Sequence, residues 1–286
     1  MNRFVLIPLL VVAHSCAQTV TTNDKLVNLG KFPSSLKEVS GMETTQDGNL
    51  WVIEDSGNKD HIYKVNHKAE VLYSLKIDHA KNVDWEELTT DSLGNLYIGD
   101  FGNNANERKD LVIYKVDSLQ LTKKEPNAKK ITFAYPEQKD FPPKTDSLYF
   151  DTEGMIHWQG QLYIFTKNRT RPYSGKTLVY RIPDKEGSYQ AEFLGALFLC
   201  EDQNHCSVTS ADISPDGKTI ALLSYGKLFL LNSASLSNIS EAKVRIIELN
   251  QMTQIESVCF LDNKTVMIAD EQNRFGGRKL YKFQLD

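Results

Sequence analysis

The chain has 286 residues, of which 33 are basic and 37 acidic, so its formal net charge at pH 7 is −4. No basic run or patch is visible in it, and nucleic acid is therefore not an expected partner. Its six histidines show no paired spacing, which argues against a zinc site.

Residues 1–15 are expected to be an export signal rather than part of the fold. A positively charged start with Arg3 precedes an apolar stretch over residues 4–12, which is too short to span a bilayer, and small residues then lead to Cys16. This pattern resembles a bacterial lipoprotein signal, which implies that Cys16 is lipidated after cleavage. An ordinary secretory signal cut near Ala17 is the alternative.

Either signal takes the mature protein out of the cytoplasm. We expect it on the periplasmic or cell-surface side of a bacterial membrane, attached to that membrane only through a lipid on Cys16. Residues 16–24 are small and polar, as a flexible tether should be. No later segment approaches the length of about eighteen apolar residues that a spanning helix needs, so the rest of the chain is expected to be soluble.

A short phrase recurs five times along the rest of the chain and ends each time in an apolar residue. The five instances are Ser40-Gly-Met42, Glu86-Glu-Leu88, Glu153-Gly-Met155, Ala211-Asp-Ile213 and Glu256-Ser-Val258. Their apolar residues are separated by 46, 67, 58 and 45 positions, and a β-branched or aromatic run follows each of them. Periods of this size in a strand-rich sequence are typical of the blades of a β-propeller.

Each repeat resolves into four strand signals, and turn residues such as Asp47-Gly48 mark its first hairpin. The fifth repeat has only three strands, whereas residues 25–32 form a spare strand signal before the first repeat. Pairing the spare strand with the incomplete blade closes the ring without an open sheet edge. We therefore predict an all-β fold, a five-bladed β-propeller with four antiparallel strands per blade, as one monomeric domain over residues 25–286.

The cysteines fit an exported protein. Cys200 and Cys206 flank a polar loop, and in an oxidising compartment they are predicted to form a local disulfide. Two reduced thiols are the alternative. Cys259 lies in an apolar run and is most simply a small buried residue.

Polar residues are expected to converge at one mouth of the propeller, because the start of each inner strand meets the end of the antiparallel second strand there. The inner-strand starts contribute Ser40, Glu86, Glu153, Asp212 and Glu256, with Asp84 just upstream of Glu86. The second-strand ends and the loops beyond them contribute Asp55, Asp100, Lys167, Asp270, Asn103, Arg108, Arg169 and Arg171. The sequence thus predicts an acidic centre ringed by basic side chains.

Such a centre suits a hard cation. Two carboxylates about 4 Å apart repel by about 4 kcal/mol at an effective dielectric near 20, unless they are protonated, bound by backbone donors or bridged by a cation. Carboxylate and hydroxyl oxygens without clustered His or Cys favour Ca²⁺ or Mg²⁺. The alternative is that these residues only hydrogen-bond the backbone of the neighbouring blade, which needs no ion.

Two family resemblances rest on these motifs. Val52-Ile-Glu-Asp-Ser-Gly57, Asp84-Trp-Glu-Glu-Leu88 and Tyr97-Ile-Gly-Asp-Phe-Gly-Asn-Asn104 look like a family of exported bacterial propeller proteins of unassigned activity. The order of the same segments is more distantly similar to the opening of the calcium-activated nucleotidases, the five-bladed apyrases.

The second resemblance implies a Ca²⁺ ion in the central tunnel and hydrolysis of nucleoside di- or triphosphates. Its implied metal ligands are Ser40, Glu86, Glu153 and Glu256, with Asp55 and Asp100 near the phosphate site. The chain departs from that family in its third and fourth blades, where Ala211 stands in place of a further oxygen ligand.

The first functional hypothesis is therefore a propeller that binds Ca²⁺ near its axis and an anionic small molecule or envelope component at the same mouth. The substrate-binding candidates are Lys167, Arg169, Arg171, Arg108 and Asn103. If the protein is an enzyme, we expect metal-assisted hydrolysis of a phosphoester or phosphoanhydride, with Asp55, Glu87 or Asp100 orienting water. The second hypothesis is a non-catalytic binding or scaffold propeller at the cell envelope, and a glycosidase using Glu86 and Glu153 is a third.

Overall fold

Short apolar runs separated by Gly, Asn and Asp turns fold into five β-sheets that surround a common axis like the blades of a propeller. The structure is a computed structural model that describes residues 19–22, 26–250, 253–274 and 276–285. The predicted signal segment, Cys16 and part of the predicted tether lie outside the described residues. Within the described part of the chain, no helix is long and apolar enough to cross a membrane.

The first two strands are β1 (Thr19–Thr22) and β2 (Val27–Lys31). Blade 1 consists, from the axis outward, of β3 (Val39–Thr44), β4 (Leu50–Glu54), β5 (His61–Val65) and β6 (Val71–Lys76). Blade 2 consists of β7 (Trp85–Thr90), β8 (Leu96–Asp100), β9 (Val112–Val116) and β10 (Lys129–Ala134). Blade 3 consists of β11 (Asp151–Trp158), β12 (Gln161–Lys167), β13 (Lys176–Pro183) and β15 (Glu192–Phe198). The short strand β14 (Gly187–Gln190) lies between β13 and β15 in the chain but belongs to the sheet of blade 2.

Blade 4 consists of β16 (Ser210–Ile213), β17 (Thr219–Ser224), β18 (Lys227–Asn232) and β19 (Arg245–Glu248). It is preceded by the short helix α1 (Gln203–Cys206), and a disulfide joins Cys200 to the last residue of that helix. Blade 5 consists of β20 (Ile255–Asp262), β21 (Thr265–Asp270), β22 (Lys279–Gln284) and β2. The prediction of an all-β, five-bladed propeller is confirmed.

The ring is closed as predicted, by a strand from before the first blade. β2 pairs antiparallel with β22, and the register places Val27 opposite Lys282 and Lys31 opposite Lys279. Blade 5 therefore joins strands that are about 250 residues apart in the sequence.

Two strands were not predicted from the sequence. β1, which lies within the predicted tether, pairs parallel with β19 at the outer edge of blade 4. β14 leaves blade 3 and pairs parallel with β10 at the outer edge of blade 2. Both cover an edge strand whose backbone groups would otherwise be exposed, and β14 also links two neighbouring blades.

The core lies between the blades. Each of five clusters of buried apolar side chains fills the space between two neighbouring sheets, for example Phe165 of blade 3 and Phe229 of blade 4. Cys259 is buried and free, as expected from its apolar run. These contacts make each blade depend on the next, so the five inner strands are held at fixed positions around the axis.

The strand register corrects one of the five repeats. Met42, Leu88, Met155 and Val258 each pair with the middle of their second strand, and in blade 4 the residue that pairs in this way is Ala211 rather than Ile213. The fourth repeat is therefore Thr209-Ser-Ala211. The sequence pattern was misread by two residues because Ala211 is less apolar than Ile213, although it is the fully buried one.

With this register, three layers of inner-strand side chains follow one another along the axis. The mouth layer is formed by the first residue of each repeat, namely Ser40, Glu86, Glu153, Thr209 and Glu256. The middle layer is formed by the next residues, Gly41, Glu87, Gly154, Ser210 and Ser257. The lower layer lies two residues further on and contains Glu43, Thr89, Ile156, Asp212 and Cys259.

The middle layer is occupied by the fully buried carboxyl group of Glu87. Its Oε2 atom accepts hydrogen bonds from the Ser210 hydroxyl at 2.6 Å and the Ala211 backbone N–H at 2.8 Å, and its Oε1 atom accepts from the Leu88 N–H at 2.9 Å. A Cβ atom on Gly41 would collide with the backbone of Glu87. Glu87 therefore bridges blade 2 to blade 4 through the centre of the ring.

The lower layer holds a pair of carboxyl groups, Glu43 and Asp212. Glu43 accepts a hydrogen bond from the Thr90 N–H of the next blade at 3.1 Å, and Asp212 accepts from the Phe260 N–H of the next blade at 2.6 Å. Asp212, predicted at the mouth, thus lies at the opposite end of the axis. Burial raises the pKa of Glu43 to about 7, and burial together with the nearby Glu43 raises the pKa of Asp212.

In EDTA, which removes any bound metal ion, we expect the free energy of unfolding to fall as the pH rises from about 4.5 to about 7. A carboxyl group whose pKa is raised from 4.5 in the unfolded chain to about 7 in the folded protein stabilises the fold below that window and loses this contribution across it. Melting temperatures measured in EDTA between pH 4.5 and 8 would show the fall. The variant Glu43→Gln should have a shallower profile than the wild type, and an equally steep profile would contradict the assignment.

Candidate cation site at the propeller mouth

The mouth layer is shaped by an irregularity that recurs in four blades. A register shift at Ser40, Glu86, Glu153 and Glu256 interrupts the pairing of each inner strand with its second strand. Such bulges turn a side chain away from the regular alternation of the strand. In this protein they leave three glutamates at the same mouth.

Asp55, Asp84 and Glu86 form the carboxylate triad of the site. One oxygen atom from each lies within 4.8 Å of the others. Glu86 is buried, whereas Asp55 and Asp84 are half-buried, so the group opens towards solvent on one side. Among the described residues, no hydrogen bond occupies the carboxylate of Glu86, in contrast to Glu87 one residue later.

The triad is electrostatically unfavourable without a cation. Burial, followed by a hydrogen bond and repulsion from Asp55, raises the pKa of Asp84 to about 7. Burial and repulsion from Glu153, Asp55 and Asp84 raise the pKa of Glu86 well above its usual range. These shifts mean that the carboxyl groups hold protons that a cation would displace.

Gly102 forms one wall of the triad. A Cβ atom built on this residue would overlap Glu86 Oε1 and the carboxylate of Asp84. Gly102 does not have a positive φ angle, so its backbone conformation does not itself require glycine. The absence of a side chain is instead what lets the two carboxylates lie directly against the Gly102 backbone.

Basic side chains neutralise the neighbouring part of the mouth. Lys167 Nζ lies 2.9 Å from Glu153 Oε1, and Arg169 Nε lies 2.7 Å from Asp151 Oδ2. Burial alone would lower the pKa of Lys167, but Glu153 and Glu256 more than offset this, so its pKa is raised well above the usual value. Lys167 is therefore a permanent positive charge inside the mouth.

Blade 5 contributes two further carboxyl groups. Glu256 is about nine-tenths buried; its Oε1 atom accepts a hydrogen bond from the Tyr225 hydroxyl, and its buried Oε2 atom has no partner. Burial, with repulsion from Glu256 and Asp55, raises the pKa of Glu271 to about 10. The described residues thus supply no hydrogen-bond donor to this buried oxygen of Glu256.

Two predicted site residues, Ser40 and Glu87, are engaged in hydrogen bonds within the fold. Ser40 donates its hydroxyl hydrogen bond to the Trp85 carbonyl of blade 2 at 2.7 Å, and Thr209 bonds Ile255 of blade 5 in the same way. This is the inter-blade role that was the alternative for these positions. Glu87, predicted to orient water, is one layer too deep.

Asp100 and the loop after it form a structural unit. Asp100 is fully buried, lies 2.9 Å from Arg108 Nη2 and accepts the backbone N–H of Asp84 at 3.0 Å. Asn103 is buried and accepts the backbone N–H of Arg108 at 2.9 Å. Arg171 is exposed. Arg108 and Asn103 therefore position the triad instead of facing a ligand directly.

The error at Asp100 has a geometric reason. Successive side chains of a strand point to opposite faces, so a shift of one residue exchanges the two sets. The equivalent residues one position later are Asp55, Phe101, Lys167, Tyr225 and Glu271. Phe101 packs in the core between blades 2 and 3, whereas the other four lie among the carboxyl groups of the mouth. Sequence reasoning missed Glu271 and Tyr225, although their equivalence with Asp55 was visible once the strand ends were known.

Comparisons with known proteins agree with the fold. No protein-family model matches the chain, and no curated protein matches it in sequence. A gluconolactonase from Xanthomonas campestris has a TM-score of 0.51 at 10% identity, covering 91% of this chain and 89% of that one. A PQQ-bound aldose sugar dehydrogenase from Streptomyces coelicolor has a TM-score of 0.50 at 8% identity, covering 91% and 98%. Identities this low show the propeller fold alone, and neither family resemblance drawn from the sequence is confirmed by a match.

Proposed function

We propose that the protein is an exported propeller that binds Ca²⁺ in the carboxylate triad and uses it to hydrolyse a small phosphoester or phosphoanhydride. The observation that carries the proposal is the triad itself, with three carboxylate oxygens within 4.8 Å, two of whose carboxylates lie directly against the Gly102 backbone. The unpartnered oxygen of Glu256 on the same mouth supports it.

The donor set fits a hard cation. Asp55, Asp84 and Glu86 offer only carboxylate oxygens, which are the ligands that Ca²⁺ prefers and which zinc or copper sites rarely use alone. When bound, the cation would polarise a phosphoryl oxygen and lower the pKa of a bound water. Ser40 is not needed as a ligand, because its hydroxyl group bonds to Trp85.

The chain's own residues would then handle the substrate. Lys167, held in place by Glu153, can donate hydrogen bonds to an anionic oxygen, and Arg169 lies on the same side with its guanidinium against Asp151. Because the side chains of Lys167 and Arg169 are both paired with carboxylates, neither gives the mouth a net positive charge. Binding of an anionic substrate would therefore depend on the ion in the triad.

Glu271 is the residue placed to move a proton. With a pKa raised to about 10, it is protonated at neutral pH and half-buried at the edge of the site. A protonated carboxyl group in this position can supply a proton to a leaving alkoxide or phosphate.

Export and lipid attachment complete the proposal. They rest on the sequence of residues 1–16 and on the disulfide between Cys200 and Cys206. The pairing of β1 with β19 also supports them, because it attaches the segment that follows Cys16 to blade 4. A disulfide of this kind belongs to an oxidising compartment.

The activity is tested with a nucleoside triphosphate, a nitrophenyl phosphate and a sugar lactone, each assayed with millimolar Ca²⁺ and with EDTA. We expect Ca²⁺-dependent turnover of at least one phosphate compound. Gly102→Ala should lose this turnover while remaining folded, since the added methyl group would overlap the carboxylates of Asp84 and Glu86. The control is Ala105→Ser, which lies in the same loop as Gly102. A distant glycine such as Gly48 is no matched control, because its φ angle is positive.

Turnover of the lactone alone would contradict the phosphate reaction but keep the cation site. Ion-independent turnover, or equal rates for wild type and Gly102→Ala, would remove the catalytic role of the triad. Ca²⁺ binding without turnover of any compound would leave the non-catalytic binding propeller as the function.

A further inference from the structure

The register of β1 fixes where the N-terminal segment leaves the propeller. Thr19 lies opposite Arg245 and Thr22 lies opposite Glu248. Arg245 begins β19 at the end of blade 4 that is remote from the mouth, because β17 ends beside Tyr225 in the mouth and the two strands that follow alternate in direction. The chain therefore approaches blade 4 from the face opposite the cation site.

A basic groove lies on that remote face, between blades 4 and 5. It has a volume of about 460 Å³, and its charged lining residues are Lys218, Lys243, Arg245 and Lys264. Lys218 lies 3.4 Å from Asp216, yet its side chain remains 76% exposed. Asp216 and Asp262 contact lining residues of the groove, so its net charge is smaller than that of its lining.

We propose that the basic groove contacts the phosphate groups of anionic phospholipids, so that the propeller stands on the membrane with its mouth facing away. This proposal rests on the proposed lipid attachment at Cys16. Three residue steps separate Cys16 from Thr19, and an extended chain covers at most about 3.6 Å per residue. The lipid would thus enter the membrane within about 11 Å of Thr19, the residue that pairs with Arg245.

Charge favours the same orientation. The cationic side chains Lys167 and Arg169 at the mouth are paired with Glu153 and Asp151, so that face offers an anionic surface less attraction than the basic groove does. A single acyl chain binds a membrane only weakly, so a basic surface beside it is a common second attachment. Each lysine or arginine close to an anionic bilayer contributes about 1 kcal/mol, which is about fivefold in affinity.

The groove is tested with the mature chain, residues 16–286, carrying Cys16→Ser, in EDTA, by co-sedimentation with vesicles of phosphatidylcholine with and without phosphatidylglycerol. We expect binding only to the anionic vesicles, and loss of that binding when salt is raised, since salt screens exposed charges. Lys243→Glu combined with Lys264→Glu should weaken binding at least tenfold. The matched variant Lys139→Glu with Lys144→Glu, on another blade, should bind like the parent protein.

Equal binding to both kinds of vesicle, or equal weakening in the two double variants, would overturn the proposal. The orientation is measured separately on the lipidated protein, with a fluorophore on Asn263→Cys or Asn104→Cys and quencher-labelled lipids. Quenching at position 263 and not at 104 is expected, and the reverse pattern would overturn it. Neither Ca²⁺ nor turnover enters these measurements, so their failure is distinct from failure of the cation site.

Discussion

Glu86→Gln abolishes the stabilisation by Ca²⁺ that we expect of the wild-type protein. At a free Ca²⁺ concentration of 100 times the dissociation constant, binding to the folded state adds about 2.7 kcal/mol to the free energy of unfolding. In a domain of this size that corresponds to an increase of about 5–10 °C in melting temperature. The variant should show almost none of this increase, because one of the three carboxylates of the triad is lost.

The same variant should be no less stable than the wild type in EDTA at pH 8. Burial and repulsion from Glu153, Asp55 and Asp84 disfavour the ionised form of Glu86, and a neutral amide removes that unfavourable charge. Differential scanning calorimetry with and without Ca²⁺ measures both effects, and Glu241→Gln on the exposed surface is the control. A wild-type protein that does not respond to millimolar Ca²⁺ would remove the ion from the proposal.

Glu87→Ala is expected to lower the free energy of unfolding by about 3–5 kcal/mol. The substitution leaves the Ser210 hydroxyl and the backbone N–H groups of Ala211 and Leu88 without their acceptor, and each buried unsatisfied group costs about 1–3 kcal/mol. It also leaves a cavity at the centre of the ring. Chemical denaturation measures the loss, with Glu241→Ala as the exposed control.

The response to Ca²⁺ separates a structural Glu87 from a catalytic one. At a temperature at which Glu87→Ala is still folded, the variant should be stabilised by Ca²⁺ as much as the wild type is. A stable variant that has lost turnover would restore the catalytic role that the sequence suggested for this residue.

The blade count and the strand order could be predicted because they depend on apolar periodicity and turn residues, which are local properties of the sequence. Even the closure by β2 followed from counting strands. The two parallel strands could not be predicted, since β1 and β14 are polar and pair only because an edge is available to them.

The candidate site was predicted less well, for reasons of register. The sequence predicted that Glu86 and Asp55 lie together at the mouth, and the structure brings them together there, because both residues flank recognisable strands. Whether a carboxylate faces the axis or its own blade depends on a single residue step, as the contrast between Asp100 and Glu271 shows. Hydrogen bonds across the ring, such as those of Glu87, join residues more than 120 positions apart and leave no trace in the local pattern.

Blade 5 has a consequence for how such a chain is made. Its outermost strand, β2, is synthesised before the other three strands of the blade, and its partner β22 emerges from the ribosome last. The ring therefore cannot close until β22 has been synthesised. Under the proposed export, the chain would enter the secretion channel with its last blade still open, and the propeller would be completed on the far side of the membrane.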